Sequence, residues 1–262
     1  MEQELYQEMY AVERQHWWFR ARREILVKCL VEHLAGGKVL DVGCGTGFML
    51  EILQSEFGDR YESWGLDMAA MAIAFCQAKG LERIYQGTLA DHGASLPTEY
   101  FDMLMFLDTI EHINDDFAVL MQGHRYLQDR GHILITVPAY QFLWSGHDVV
   151  HGHYRRYTKS QLADLVHRAG YEVRFMSYFN TLLFPPIVIA RLINNFRNYF
   201  RSHNVKNTQD SHSDAKLPAA LVNQLLYQVF QWERQWLPNF SFPFGVSIIC
   251  LAQRQPHYGT SS

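Results

Sequence analysis

Short apolar runs alternate with segments of helical periodicity over much of this chain. Runs such as "KVLDV", "FDMLMFL" and "HILITVP" have the length and composition of strands. Between them, "FMLEILQSEF" places apolar residues three and four positions apart, as an amphipathic helix does. Strands that alternate with helices predict a parallel sheet with helices on both faces, and the wholly apolar "HILITVP" agrees with a strand buried on both sides.

The pattern divides the chain into four segments. Residues 1–37 predict a helical cap, and residues 38–179 contain the alternating strands and helices of the core. Residues 180–243 form an insertion, with a proline-interrupted apolar stretch, a polar run that begins "RSHNVK", and an amphipathic helix. Residues 244–262 contain the final strand, "GVSIICLAQR", and a tail.

Composition narrows the class of protein. The 262 residues are 48% hydrophobic and 19% charged, as in a folded globular protein. A net charge of -4 gives no general attraction to nucleic acid, so no nucleic-acid partner is expected. The four cysteines are scattered, which is typical of reduced thiols in a cytoplasmic protein. The longest apolar stretch, Leu182 to Ala190, is shorter than the ~20 residues that a bilayer requires.

A glycine-rich loop follows the first predicted strand. Residues 41–47 have the pattern DxGxGxG, and glycine is needed where a ligand approaches the backbone closely. The dinucleotide fingerprint would place a glycine at Phe48, so NAD is disfavoured. Asp67 ends the second strand 24 residues after Gly43, near the position at which a carboxylate binds ribose hydroxyls. The loop and the acid together predict a nucleoside ligand.

Several motifs in order then resemble the class I S-adenosylmethionine-dependent methyltransferases. They are "VLDVGCGTG", "GLD", "LP", "FDMLMFLDTIEHINDD" and "RGHILITVP", and they cover roughly residues 38–138. The resemblance is to the subgroup of ubiquinone biosynthesis and of lipid and glycan pathways. It implies an α/β fold with a Rossmann-like, seven-stranded sheet, the last strand antiparallel, and helices on both faces.

The resemblance also implies which residues bind S-adenosylmethionine. The loop glycines would lie against its methionine part, Asp67 would bind the ribose, and Asp41 would lie near the amino group. Thr88 stands where the family often has an acid that contacts adenine, and a threonine hydroxyl can still donate or accept a hydrogen bond there. The implied cofactor-binding set is Asp41, Gly43, Gly45, Gly47, Asp67, Met68, Thr88, Leu89, Leu107 and Asp108.

Methyl transfer to a hydroxyl group also needs an acceptor for the proton, and imidazole suits this role near neutral pH. Histidines follow the fourth and fifth strands, at the expected ligand edge of a parallel sheet. The candidate bases are His147, His112 and His151.

The "LDTIEH" segment leaves other roles open. Its acids could simply pack beside the cofactor, or Asp108, Glu111 and His112 could bind Mg²⁺, because carboxylate oxygens suit hard cations. Zinc at the histidines of "HDVVHGH" is disfavoured, since no cysteine is nearby and the spacing matches no closed structural site.

Four residues are candidates for binding the acceptor. Arginines bind carboxylates or phosphates, and in the resembled subgroup a similar helix of aromatic residues and arginines covers the mouth of the cofactor site. The candidates are Trp18, Arg155, Arg156 and Tyr157. The aromatic helices of the 180–243 insertion predict either a lid over an apolar acceptor or contact with a membrane surface, with packing in a homodimer as the alternative.

These observations favour an S-adenosylmethionine-dependent methyltransferase that acts on a small or lipid-linked acceptor, most readily at a hydroxyl oxygen. The expected location is cytoplasmic, with peripheral membrane contact as an option. One alternative is a protein or RNA methyltransferase of the same fold, although basic runs are lacking. Another is a non-catalytic module that retains the cofactor fold.

Overall fold

The computed structural model describes residues 3–91, 96–201 and 217–255. Its strands are β1 Gly37–Val42, β2 Tyr61–Asp67, β3 Ile84–Gln86, β4 Phe101–Leu107, β5 Leu127–Pro138, β6 Tyr171–Phe179 and β7 Ser247–Arg254. Its α-helices are α1 Gln3–Val12, α2 Trp17–His33, α3 Phe48–Phe57, α4 Ala70–Ala78, α5 Asp116–Gly123, α6 Gly146–His151, α7 Lys159–Arg168, α8 Phe184–Arg201 and α9 Ala220–Gln231.

The strands form one seven-stranded sheet in the order β3-β2-β1-β4-β5-β7-β6. Strands β1 to β5 pair in parallel, whereas β7 runs antiparallel to both β5 and β6. The expected Rossmann-like sheet with an antiparallel last strand is therefore confirmed. Strand order reverses between β1 and β4, and a crevice at such a reversal is where α/β sheets bind ligands.

Turns that only glycine tolerates connect the first strand to α3. Gly47 precedes this helix with a φ of 74°, and a Cβ atom there would lie 2.7 Å from the side chains of both Cys76 and Leu81. Any larger residue would separate the loop from α4. The loop is therefore held close to the carboxyl end of the sheet.

The cap and the insertion form one layer on a face of the sheet. Phe230 of α9 is fully buried, and its ring centroid lies 6.0 Å from those of both Trp17 in α2 and Phe179 in β6. The hydroxyl of Tyr227 donates to Glu24 of α2 over 2.6 Å. Helix α9 therefore contributes Phe230 to the hydrophobic core, a role additional to the lid, membrane contact or dimer packing that the sequence predicts for the insertion.

The opposite side of the insertion is exposed and apolar. Leu221 is 87% exposed and Leu225 is 60% exposed, and the Trp232 and Trp236 rings lie beside each other at 5.5 Å. None of the described helices is both long enough and apolar enough to cross a membrane. The polar run predicted between α8 and α9 lies almost entirely outside the described residues.

Candidate functional site

The glycine loop leaves open space at the end of β1. Gly43 and Gly45 have φ values of 77° and 55°, which favour glycine. A Cβ atom on Gly43 would lie 2.6 Å from Thr109, whereas one on Gly45 would meet nothing within 4 Å. Gly43 therefore allows close packing, and Gly45 borders space that a ligand can enter.

Asp67 lies at the end of β2, where its carboxylate accepts three hydrogen bonds. The backbone N–H of Gly45 donates to its Oδ2, and that of Ala69 donates to its Oδ1, both over 2.9 Å. The Tyr6 phenol of α1 also donates to Oδ1. Burial, followed by the negative charge of Asp67, raises the pKa of Tyr6 above its usual range. The carboxylate is thus held in a single orientation at the sheet edge.

Asp41 has an unused acceptor in the same region. Its side chain is buried at the end of β1, and its Oδ1 has no hydrogen-bond partner among the residues described. Burial raises its pKa to about 7, although the positive charge of Arg22 opposes this shift. A buried, unpaired oxygen suits a ligand that brings a cation, as the amino group of S-adenosylmethionine would.

The residues expected near adenine have different surroundings. Met68 is exposed, while the side chain of Leu89 is buried in the core. The hydroxyl of Thr88 donates to Oδ2 of Asp91 over 2.7 Å, so this hydroxyl already forms a hydrogen bond within a turn. Contact between these residues and a cofactor stays a prediction.

Asp108, after β4, is tied to the N-terminal cap. Its Oδ2 lies 2.8 Å from Nη2 of Arg22, and its Oδ1 accepts a hydrogen bond from the Thr136 hydroxyl. Asp108 also has a φ of 55°, a conformation that is uncommon for residues other than glycine. Helix α2 therefore supplies a cation to the floor of the crevice.

The three candidate bases lie in one histidine cluster, which consists of His112, His147, His151 and His153. Ring centroids are 4.1 Å apart for His147 and His151, and 4.6 Å for His112 and His153. Burial is the main cause that lowers the pKa of His112 to about 4 and that of His147 to about 3. Both imidazoles are therefore neutral near pH 7, the form that accepts a proton.

A buried ion pair supports this cluster. Asp148 is fully buried and accepts from Nε of Arg156 over 2.7 Å and from Nη2 over 3.0 Å. Nδ1 of His153 lies 2.9 Å from the same carboxylate. Burial alone would raise the pKa of Asp148, but the hydrogen bonds from His153 and Arg156 hold it below its usual range.

The expected acceptor arginines are used within the protein. Nη1 of Arg156 donates to the Ala139 carbonyl. The sequence predicts that this guanidinium binds substrate. It points into the structure instead, because its partner Asp148 is buried there. Arg155 pairs with Asp116 over 2.7 Å, and the Tyr157 hydroxyl donates to the same carboxylate. Trp18 is half-buried on α2, with the Arg22 guanidinium 5.1 Å from its ring centroid.

The predicted Mg²⁺ ligands are not assembled as a set. Asp108 is engaged by Arg22 and Thr136, while Glu111 and His112 lie beside His153. One candidate ligand atom from each of these last three residues lies within 4.8 Å of the other two. The group of three therefore contains the His153 imidazole in place of the Asp108 carboxylate, because Asp108 already pairs with Arg22.

A family model described as a methyltransferase domain matches residues 13–174. The chain belongs to the S-adenosylmethionine-dependent methyltransferase family. A Mycolicibacterium smegmatis protein named probable S-adenosylmethionine-dependent methyltransferase is 27% identical over 161 residues, which cover 61% of each chain. The ubiquinone biosynthesis O-methyltransferase of Pseudomonas syringae pv. tomato is 32% identical over 109 residues, which cover 40% of this chain and 45% of that protein. The match thus spans less than two thirds of either relative.

Solved structures of this methyltransferase family share the fold. A SAM-dependent methyltransferase from Archaeoglobus fulgidus is 19% identical, with a TM-score of 0.53 and coverage of 88% of this chain and 94% of that one. Phosphoethanolamine N-methyltransferase 2 of Haemonchus contortus, solved with S-adenosylmethionine, is 16% identical, with a TM-score of 0.52 and coverage of 88% and 52%. At these identities the likeness establishes the fold alone.

Three residues that contact the candidate site were absent from the predicted set: Tyr6, Arg22 and His153. His153 had a signal, since it lies in the same histidine-rich segment as His147 and His151. No specific sequence pattern pointed to Tyr6 or Arg22, because their contacts depend on how the cap docks against the sheet.

Proposed function

We propose that this protein transfers the methyl group of S-adenosylmethionine to a hydroxyl oxygen of a small or lipid-linked acceptor. The observation that carries the proposal is a cluster of neutral imidazoles at the same sheet edge as Asp41 and Asp67. Methyl transfer to oxygen requires both a cofactor site and a proton acceptor. The O-methyltransferase name of one relative supports the same class of reaction.

The residues at the end of β1 and β2 fit the cofactor. Asp41 offers a buried oxygen to its amino group, Gly45 leaves space for its backbone approach, and Asp67 offers an oriented carboxylate to its ribose. The cofactor, when bound, supplies a methyl group on a sulfonium that already carries its own leaving group. The protein's contribution is then to align the acceptor and to exclude water.

The histidine cluster would take the proton from the acceptor oxygen. A ring nitrogen of His112, His147 or His151 receives it, because burial keeps the first two imidazoles neutral at pH 7. The ion pair between Asp148 and Arg156 fixes the adjacent loop, so the rings keep their relative positions. Preorganisation of this kind lowers the cost of reaching the transition state.

An apolar acceptor agrees with the exposed face of the insertion. Leu221, Leu225, Trp232 and Trp236 present apolar side chains on the outside of α9 and just beyond it. Tryptophan favours the boundary between lipid and water, and an apolar face of this kind is uncommon on an isolated chain. We propose that this face contacts a membrane from which the acceptor is taken.

Transfer of radiolabelled methyl from S-adenosylmethionine tests the reaction. Incubation with bacterial lipid and metabolite extracts should label a small or lipid-soluble product, and the label should survive treatment with protease and nuclease. Label confined to protein or RNA would contradict the proposed acceptor. Cofactor binding without any labelled product, across extracts of several bacteria, would indicate a non-catalytic module instead.

Liposome co-sedimentation tests the membrane contact separately. The wild-type chain should pellet with vesicles, and Leu221→Asp with Leu225→Asp should remain in the supernatant. Met121→Asp on α5 is the matched control, because Met121 is also apolar and exposed but lies on another surface. A buried residue such as Leu5 would not serve, because its replacement would disturb the core. Wild-type protein that stays in the supernatant, at any vesicle charge, would favour a lid or a dimer contact.

A further inference from the structure

The carboxyl group of Glu111 is fully buried. Neither oxygen has a hydrogen-bond partner among the side chains and backbone groups of the described residues. An unpaired buried carboxylate is costly, and native proteins usually satisfy it with a hydrogen bond, a cation or a proton. The methyl-transfer reaction proposed above assigns no role to this group.

Two imidazoles lie beside this carboxyl group. His112 is the next residue in the short turn after β4, and His153 comes from the loop after α6. One candidate ligand atom of each residue lies within 4.8 Å of the other two. Two separate chain segments therefore bring one oxygen donor and two nitrogen donors to one place.

The surroundings of His153 are those of an oriented metal ligand. Its Nδ1 lies 2.9 Å from Oδ1 of Asp148, which leaves Nε2 to act as a ligand. A carboxylate on the far nitrogen fixes the tautomer and orientation of a metal-binding histidine and makes it more basic. Asp148 is itself held by two hydrogen bonds from Arg156, so the ring has a rigid support.

We propose that Glu111, His112 and His153 bind a divalent cation of the zinc class, which makes His112 a ligand and leaves His147 or His151 as the proton acceptor of the proposed reaction. Imidazole nitrogen suits Zn²⁺, Co²⁺ and Fe²⁺, whereas Mg²⁺ prefers oxygen ligands in a near-ideal octahedron. Three protein ligands leave at least one coordination position open, as in catalytic rather than structural zinc sites. The open position would accept an oxygen from water or from an acceptor molecule.

Asp108 is excluded from this site by its own partners. Arg22 lies against one of its carboxylate oxygens and the Thr136 hydroxyl against the other. The ligand set therefore contains one carboxylate and two imidazoles, in place of the two carboxylates expected for Mg²⁺. Ligand atoms at ~2.1 Å on a tetrahedral ion are roughly 3.4 Å apart, so binding would draw the three side chains inward by roughly 1 Å.

Cobalt titration of the full chain, stripped of metal with a chelator, tests the site without cofactor or methyl transfer. One equivalent of Co²⁺ should bind with visible ligand-field absorption, and Zn²⁺ should displace it, while millimolar Mg²⁺ should not. Because no acceptor or turnover enters the assay, its outcome is independent of the proposed reaction.

Variants locate the ion. Glu111→Gln, which keeps the shape of the side chain, and His153→Ala should each weaken Co²⁺ binding by at least 100-fold. Asp148→Asn should weaken it by about 10–100-fold, as loss of a supporting carboxylate does. His167→Ala removes an exposed histidine on α7 and should leave binding unchanged. Circular dichroism and binding of S-adenosylhomocysteine check that each variant is folded.

Three results would each overturn the proposal. They are the absence of a saturable one-equivalent site, equal affinity in the wild type and in folded Glu111→Gln, and displacement of Co²⁺ by Mg²⁺ at comparable concentration. If Asp148→Asn fails to fold, the Glu111→Gln comparison still decides the question, because that change removes the negative charge of a buried group and keeps its volume.

Discussion

The phenol of Tyr6 donates a hydrogen bond to the carboxylate of Asp67, with 3.2 Å between Oη and Oδ1. Tyr6 belongs to α1, and Asp67 is the residue proposed to bind the ribose. One turn after Tyr6, the ring of Tyr10 stacks on Phe75 of α4 at 4.3 Å. Helix α1 therefore closes over the carboxylate, and we expect the ribose hydroxyls to replace the phenol when the cofactor enters.

Tyr6→Phe should strengthen cofactor binding by roughly 10–100-fold, because it removes a hydrogen bond that only the free protein makes. The same change should lower the free energy of unfolding by roughly 1.5–3 kcal/mol, the range for a hydrogen bond to a charged group. Calorimetric titration with S-adenosylhomocysteine and denaturant unfolding measure the two effects. Tyr10→Phe, one turn along the same helix, is the control. Binding weakened tenfold in Tyr6→Phe would mean that the phenol contacts the cofactor itself.

Asp67→Asn should weaken cofactor binding by roughly 10–100-fold, since charged hydrogen bonds of about 1.5–3 kcal/mol are reduced to neutral ones. The amide keeps the size of the side chain and one acceptor for the Gly45 or Ala69 N–H. Isothermal titration at constant pH gives the affinity, and thermal unfolding shows whether the loop is intact. Unchanged affinity in a folded variant would place the ribose elsewhere.

Asp41→Asn should change how stability depends on pH. Burial raises the pKa of Asp41 to about 7, so the folded state holds a proton that the unfolded state releases near pH 4. Wild-type stability should therefore fall relative to the variant as pH rises from about 4 to 7, by on the order of 3 kcal/mol in total. Urea unfolding of both proteins from pH 4 to 8 measures the difference, and parallel curves would contradict the raised pKa.

The same carboxyl group should make cofactor binding dependent on pH. Only ionised Asp41 attracts the cofactor's amino group, so wild-type affinity should increase as pH rises to about 7 and then level off. Asp41→Asn should bind weakly at every pH. A wild-type affinity that is constant between pH 5 and 8 would argue against contact between Asp41 and the amino group.

Single alanine variants of His112, His147 and His151 should identify the base. The responsible variant should lose roughly 10²–10⁴ in turnover and keep its cofactor affinity. Burial lowers the pKa of His112 to about 4 and that of His147 to about 3, so a rate that depends on either should fall only in strong acid. A pH–rate profile with a limb near the ordinary imidazole value of about 6.5 would contradict both residues.

The sheet and the acids at its edge could be predicted because their signals are local. Apolar runs locate the strands, and a parallel sheet brings the ends of β1, β2 and β4 to one edge, with Asp41, Asp67 and Asp108 on them. Family resemblance then assigned roles to these acids, and the family itself is confirmed.

Contacts between distant segments could not be predicted in the same way. Helical periodicity shows that α2 has an apolar side, but it does not show that Arg22 meets Asp108, or that Phe230 of α9 packs beside Trp17. Arg156 was expected at the acceptor because its charge suits one. Its actual direction follows from the burial of Asp148, eight residues earlier.

The position of β7 between β5 and β6 has a consequence for biosynthesis. Strands β1 to β5 come first along the chain, so a nascent polypeptide can assemble the cofactor half of the sheet while the ribosome is still translating the insertion. Strand β6 emerges before β7, the neighbour on which it pairs, and must wait for both insertion helices to be synthesised. Until then the β5 edge is open, and translation halted within α9 would leave a chain with an uncovered strand that invites aggregation.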